Sequence, residues 1–209
     1  MCGIAGLAGP FSAKEGEALA ARMNGAIVHR GPDDEGLWAT DGFAFAMRRL
    51  SIIDLPGGHQ PMWTEDGLGI VYNGEIYNYR ALRADLERSG YSFRTQSDTE
   101  VILKLYHRDG LDMVEALEGM FAICLYDPRS GEVHLIRDRF GVKPLYYARI
   151  GGRLYFASEI KAILAVLAER PALNTQALHD YLTLRFVPAP HSAWQGIEKL
   201  PPAHILSHS

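Results

Sequence analysis

The spacing of apolar positions predicts strands at both ends of the chain and helices between them. Residues 2–8, Cys-Gly-Ile-Ala-Gly-Leu-Ala, read as a short strand carrying two glycines, and a glycine inside a strand marks a close approach by another backbone or a ligand. Ser12 with Glu15 has the spacing of a capping box and predicts a helix to about Ile27. His29 to Gly36 is rich in turn residues. Strands over 36–40 and 43–49 follow, joined at Asp41-Gly42, a hairpin signal. A further strand runs from Leu68 to Ile76. Asn78 is placed to cap a helix over Tyr79–Ser89 that Gly90 ends. Ser97 with Glu100 repeats the capping-box spacing, for a helix to Arg108 stopped by Gly110, with another helical turn or two over Asp112–Leu117.

From Met120 the period shortens to that of strands: Met120–Tyr126 and Val133–Arg137 around an Asp-Pro-Arg-Ser-Gly turn, then Leu145–Ile150 and Leu154–Ala157 around Gly151-Gly152. Ile160–Leu167 and Gln176–Leu184 read as helices. Hairpins separated by helices fit two packed antiparallel sheets with helices outside better than alternating strand–helix–strand units.

Composition changes this picture little. The chain has 209 residues, 47% hydrophobic and 22% charged, enough to fill a core. Its 21 basic and 25 acidic residues give a formal charge of -4 without a basic run, which argues against a nucleic-acid or membrane-surface partner. Two cysteines, Cys2 and Cys124, give no disulfide framework. No secretory signal opens the chain and no apolar run approaches the ~20 residues of a membrane span, so a reducing cytoplasmic setting is expected.

Candidate chemistry starts with Cys2. If Met1 is removed, Cys2 carries a thiol and a free α-amine on adjacent atoms. An α-amine titrates near ~8, so one residue supplies both nucleophile and base. Asn73-Gly74, at the end of a strand, offers a side-chain amide and a backbone N–H for an oxyanion, or else a plain turn. Arg49 offers a planar guanidinium for a carboxylate, and strand alternation sends Arg48 to the opposite face. Asp98, in the first turn of a helix, and Glu75 offer carboxylates for an ammonium group. Together these describe a pocket for a free α-amino acid with a reactive side-chain carbonyl. His204 and His208 lack further ligands, so no metal site is expected. Gly57-Gly58-His59 lacks the context of a phosphate loop, and Cys124 is expected in the core.

Cys2-Gly3-Ile4-Ala5-Gly6, His29-Arg30-Gly31-Pro32-Asp33, Arg49-Leu50-Ser51-Ile52-Ile53-Asp54, Asn73-Gly74-Glu75-Ile76-Tyr77-Asn78 and Ser97-Asp98-Thr99-Glu100 occur in order. With them the chain resembles the class II, N-terminal nucleophile, glutamine amidotransferases. Arg137-Asp138-Arg139-Phe140-Gly141-Val142-Lys143-Pro144-Leu145-Tyr146, Ala157-Ser158-Glu159-Ile160-Lys161-Ala162 and Lys199-Leu200-Pro201-Pro202 are similar to the asparagine synthetase branch.

The resemblance implies an α+β, four-layer αββα sandwich that hydrolyses L-glutamine to glutamate and ammonia. Cys2 would attack the amide, and Asn73 with the Gly74 backbone would hold the oxyanion. Arg49 would bind the α-carboxylate, Glu75 and Asp98 the α-ammonium, and Leu50, Ser51, Ile52 and Ile53 would line the pocket. It further implies residues 2–168 as the amidotransferase domain, and 169–209 as a linker and the start of a missing synthetase domain, since the family's Ser-Gly-Gly-x-Asp-Ser loop does not occur. No cofactor is implied for the glutaminase half; ATP and Mg belong to the synthetase half. Implied partners are glutamine and a synthetase domain or subunit, with a homodimer as a candidate assembly. Two alternatives stay open: a glutamine-binding or docking module without turnover, and an amidotransferase for a different carboxylate.

Overall fold

A computed structural model describes residues 1–51 and 54–209. Its strands are β1 (Gly3–Ala8), β2 (Asp34–Thr40), β3 (Phe43–Arg49), β4 (Met62–Trp63), β5 (Gly69–Ile76), β6 (Gly119–Asp127), β7 (Glu132–Arg137), β8 (Tyr146–Ile150), β9 (Arg153–Ala157), β10 (Ile197–Lys199) and β11 (Ile205–His208). Its helices are α1 (Ala13–Gly25), α2 (Tyr79–Arg88), α3 (Asp98–Asp109), α4 (Ile160–Leu164) and α5 (Thr175–Leu184), with 3-10 turns at Val28–Arg30 and Gly110–Glu115.

The strands form two antiparallel sheets, one ordered β10-β8-β9-β1-β3-β2 and the other β11-β7-β6-β5-β4. Three apolar clusters separate four layers. Ala20, Met23 and Ile27 of the α1 region and Ala162 and Ile163 of α4 cover the outer face of the first sheet. Leu86 of α2 and Val101, Ile102 and Leu105 of α3 cover the outer face of the second. Between the sheets, Ile4, Phe45 and Phe156 meet Val71, Cys124 and Leu135. Cys124 is fully buried, and that burial pushes its thiol pKa well up. An aromatic group also bridges the layers: Trp38 of β2 lies 4.5 Å, centroid to centroid, from Trp63 of β4, and Phe43 stacks on Tyr126 at 4.6 Å.

β1 is buried at all six positions because helices cover one face and the second sheet the other, so its sequence cannot alternate. A Cβ on Gly6 would fall 2.4 Å from the Phe156 ring and 2.5 Å from the Ala44 carbonyl oxygen. That is the close approach expected of a strand glycine. The Asp41-Gly42 hairpin joins β2 to β3, with Gly42 at φ +83.

Two capping boxes form by half. Ser12 Oγ accepts from Glu15 N and Ser97 Oγ from Thr99 N, but neither glutamate returns to its cap. The Glu15 carboxylate pairs with Arg153, and that of Glu100 takes the N–H groups of Arg94 and Thr95. Asn78 is not a side-chain cap: its amide donates to Ala116 O at 2.9 Å and accepts from Glu118 N at 3.1 Å, tying α2 to the start of β6. The stretch 169–209, expected as a linker and the start of a synthetase domain, supplies one edge strand to each sheet through β10 on β8 and β11 on β7. Among the described residues, no helix is long and apolar enough to cross a membrane.

Candidate active site

The start of β1, the end of β3, the end of β5 and the first turn of α3 converge on one cleft of about 120 Å³. Cys2, Arg49, Leu50, Asn73, Gly74, Glu75 and Asp98 all line it. Register explains the meeting. β1 and β3 are antiparallel with Gly3 opposite Arg48, so Cys2 sits beside the residues that leave β3. Cys2 Sγ accepts from Leu50 N at 3.4 Å and lies 3.6 Å from Leu50 O.

Arg48 and Arg49 part as strand alternation requires. Arg48 pairs with Glu35 at 2.7 Å, whereas Arg49 is buried and enters the cleft. The Arg49 guanidinium donates to Asp54 O at 2.8 Å and Leu55 O at 3.0 Å. Asp54 adopts φ +48, and its carboxylate accepts from Gly57 N and Gln96 N, so the loop is tied down on both sides. A Cβ on Gly58 would land 2.1 Å from Arg49 Nη2. Gly58 therefore serves close approach to the arginine, while a Cβ on Gly57 would fall 2.3 Å from Asp54 Oδ2.

The ladder pattern sets the direction of the Gly74 N–H. Phe121, opposite Gly74, spends its N–H and carbonyl on Asp138. Gly74 is thus a non-hydrogen-bonded position of β5–β6, and its N–H points away from β6. Neighbours of the same parity donate outward too, Tyr72 N to Gln60 Oε1 at 2.7 Å and Ile76 N to Asp98 Oδ2 at 3.1 Å. The Gly74 N–H lies between them, facing the cleft. Asn73 is 1% exposed, and its Nδ2 is a buried donor without a partner among the described residues. Such a group costs about 1–3 kcal/mol unless something fills it.

Asp98 is buried, and its Oδ2 also accepts from the Tyr72 hydroxyl at 2.9 Å. Burial raises its pKa, against the pull of the Ile76 N–H and the Tyr72 hydroxyl. Tyr72 is held well above the usual phenol range by burial and by the Asp98 charge. Glu75 lines the cleft with an exposed side chain. Ser51 gives its N–H to Asp33 Oδ2 at 2.9 Å and is not among the lining residues. Ile52 and Ile53 lie outside the described residues.

Sequence reasoning missed several participants. Tyr72, Gln60, Met120 and Lys143 line the cleft but sit in runs that read as core or turn. Arg30, 9% exposed, donates Nε to Cys2 O at 2.9 Å and Nη1 to Glu159 at 2.9 Å. Burial works against the charge on Glu159, but hydrogen bonds from Arg30, His29 and Lys161 outweigh it and lower its pKa to about 2. The signal was present in the adjacent His29-Arg30 pair, whose role needs residues about 130 positions away. Met1 is 63% exposed and lies across the same cleft, with its Sδ 3.9 Å from Lys143 Nζ. Among the described residues, no group of three His, Cys, Asp or Glu side chains is placed to hold a metal ion.

The chain is similar to several known proteins. Asparagine synthetase (glutamine-hydrolyzing) 1 of Bacillus subtilis (strain 168) is 40% identical over 206 residues, covering 97% of this chain and 32% of that protein. Asparagine synthetase (glutamine-hydrolyzing) 2 of the same organism is 46% identical over 169 residues, covering 79% and 22%. A putative asparagine synthetase (glutamine-hydrolyzing) 2 of Methanocaldococcus jannaschii is 40% identical over 222 residues, covering 96% and 42%. The chain thus spans well under half the length of these relatives. Among solved structures, the glutamine phosphoribosylpyrophosphate amidotransferase of B. subtilis, complexed with ADP and GMP, superposes with a TM-score of 0.68. It is 22% identical over 79% of this chain and 43% of its own, a likeness of fold. A family model described as the glutamine amidotransferase domain matches residues 1–209, and the chain belongs to that family.

Proposed function

We propose that the chain is the glutaminase half of an asparagine synthetase-like enzyme, supplying ammonia for the ATP-dependent amidation of aspartate by a synthetase domain. The observation that carries the reading is the convergence of a thiol, a buried amide donor without a partner among the described residues, an outward backbone N–H and a fixed guanidinium on one cleft. The relatives' printed names, glutamine-hydrolysing asparagine synthetases, support the acceptor.

Once Met1 is removed, the α-amine of Cys2 takes the thiol proton and Sγ attacks the side-chain amide carbon of glutamine. The oxyanion of the tetrahedral intermediate is held by Asn73 Nδ2 and the Gly74 N–H. The amine returns the proton to the leaving nitrogen, ammonia departs, and a γ-glutamyl thioester remains. Water, deprotonated by the same amine, cleaves the thioester to glutamate and free thiol. Arg49 grips the α-carboxylate, and Asp98 and Glu75 hold the α-ammonium. Processing and action in the cytoplasm suit a working thiol.

The test is ammonia release from glutamine by Met1-processed protein, with peptide mapping after a glutamine-analogue alkylator. Turnover with the label on Cys2 is expected. Absence of both in processed, folded protein sinks the nucleophile assignment, and calorimetric binding without turnover would mark a binding module instead.

A further inference from the structure

We propose that Lys143 is a further charged group of the reaction centre, set to face the α-amine that Met1 removal frees on Cys2 and to keep that amine in its unprotonated, base-competent form. The proposal rests on the Cys2 reading above. Lys143 is 7% exposed and lines the same cleft as Cys2. Among the described residues, the partner of its ammonium is the Met1 thioether, 3.9 Å away, and sulfur is a weak acceptor. Met1 is the residue that maturation takes away, and it is bonded to the nitrogen that then becomes the free amine. Removal therefore strips the ammonium of that contact and leaves it in the cleft that the new amine shares.

The loop places this charge without help from it. Asp138 is fully buried, and its carboxylate accepts from Phe140 N, Val142 N and Lys143 N, while Arg137 Nε donates to Lys143 O at 2.8 Å. Four backbone bonds thus fix residues 138–143, and the side chain at 143 is free to be chosen for the cleft.

The other charged groups around Cys2 have different commitments. Arg30 holds the Cys2 carbonyl and pairs with Glu159. Arg49 is directed at the Asp54 and Leu55 carbonyls. Asp98 is bound by Tyr72 and Ile76, and Glu75 is exposed. Lys143 forms no ion pair among the described residues. A like charge in the same cleft disfavours the protonated amine, an effect of roughly half to two pH units for charges a few ångströms apart.

The amine is read directly in the Cys2→Ala background, which keeps the α-amine and removes the competing thiol. Trace acylation of the N-terminus against pH, followed by mass spectrometry, is run with Lys143 intact and as Lys143→Met. The half-labelling pH is expected to rise by about one unit in Lys143→Met and to stay in place in Lys143→Arg. With Cys2 present, the acid limb of kcat/KM for glutamine should move by the same amount. Superposed labelling curves overturn the proposal. An inactive parent whose amine still shifts would sink the glutaminase reading and leave this one standing. Should Lys143→Met lose its cooperative melt, Lys143→Gln removes the same charge, and the same two curves decide.

Discussion

Asn73→Leu should weaken the enzyme and strengthen the fold at once. The substitution keeps the branched shape of the side chain and removes the amide. Among the described residues the Asn73 Nδ2 is buried without a partner, a state that costs about 1–3 kcal/mol, and leucine relieves it. In a 209-residue domain each kcal/mol moves Tm by about 2–4 °C, so the variant should melt roughly 2–12 °C higher by calorimetry. Catalysis should move the other way. Losing one oxyanion donor costs about 2.7–4 kcal/mol of barrier, a fall of about 10²–10³ in kcat. KM should change little, because the donor acts on charge that develops after binding. Ammonia release, followed through a coupled dehydrogenase, gives both constants. A variant that retains kcat within tenfold would refute the donor role of Asn73, and one that melts below the parent would refute the cost of its burial.

Three further outcomes are expected. Gly58→Ala puts a methyl where Arg49 Nη2 now lies, so KM for glutamine should rise about 10–100-fold with kcat nearly kept, and an unchanged KM would detach Arg49 from substrate. Protein purified with Met1 retained should release no ammonia and should gain activity on treatment with a methionine aminopeptidase, read by intact mass alongside the rate. Glu159 has a folded pKa of about 2 against 4.5 unperturbed, a depressed value. Its stabilisation is thus present above about pH 4.5 and lost as pH falls toward about 2. Glu159→Gln should lower Tm at pH 7 and flatten the melting-temperature profile across that window, and parallel profiles would argue against the Arg30–Glu159 tie.

The fold was legible where the period was long enough to read. The β2–β3 hairpin, β5, α3 and the β6–β7 and β8–β9 hairpins follow from alternation and turn residues. β4, β10 and β11 have two to four residues at sheet edges near prolines, too short for any period to show; β4 is a strand only through pairing with the adjacent β5, and β10 and β11 only through pairing with distant strands. Asn78 and Glu100 failed as caps for the same reason, since each is claimed by a backbone group that sequence spacing does not reveal. In the site, alternation separated Arg48 from Arg49 correctly, but which one turned inward depended on the loop that receives it. The Gly74 direction was invisible, because it is set by Asp138 drawing Phe121 away from the ladder. Tyr72 and Lys143 looked like strand and turn residues; their polar ends matter only once the two sheets close on them.

Trp38 and Trp63 belong to different sheets, yet their rings are 4.5 Å apart at an interplanar angle of 57°. Two indoles so close and so inclined share their electronic excitation, so the protein carries an optical gauge of the spacing between its layers. An exciton couplet in circular dichroism should accompany the native state and vanish on sliding or parting of the sheets, even where each sheet keeps its hydrogen bonds. Partial opening of the sandwich, which ordinary backbone signals would overlook, thereby becomes observable without any label.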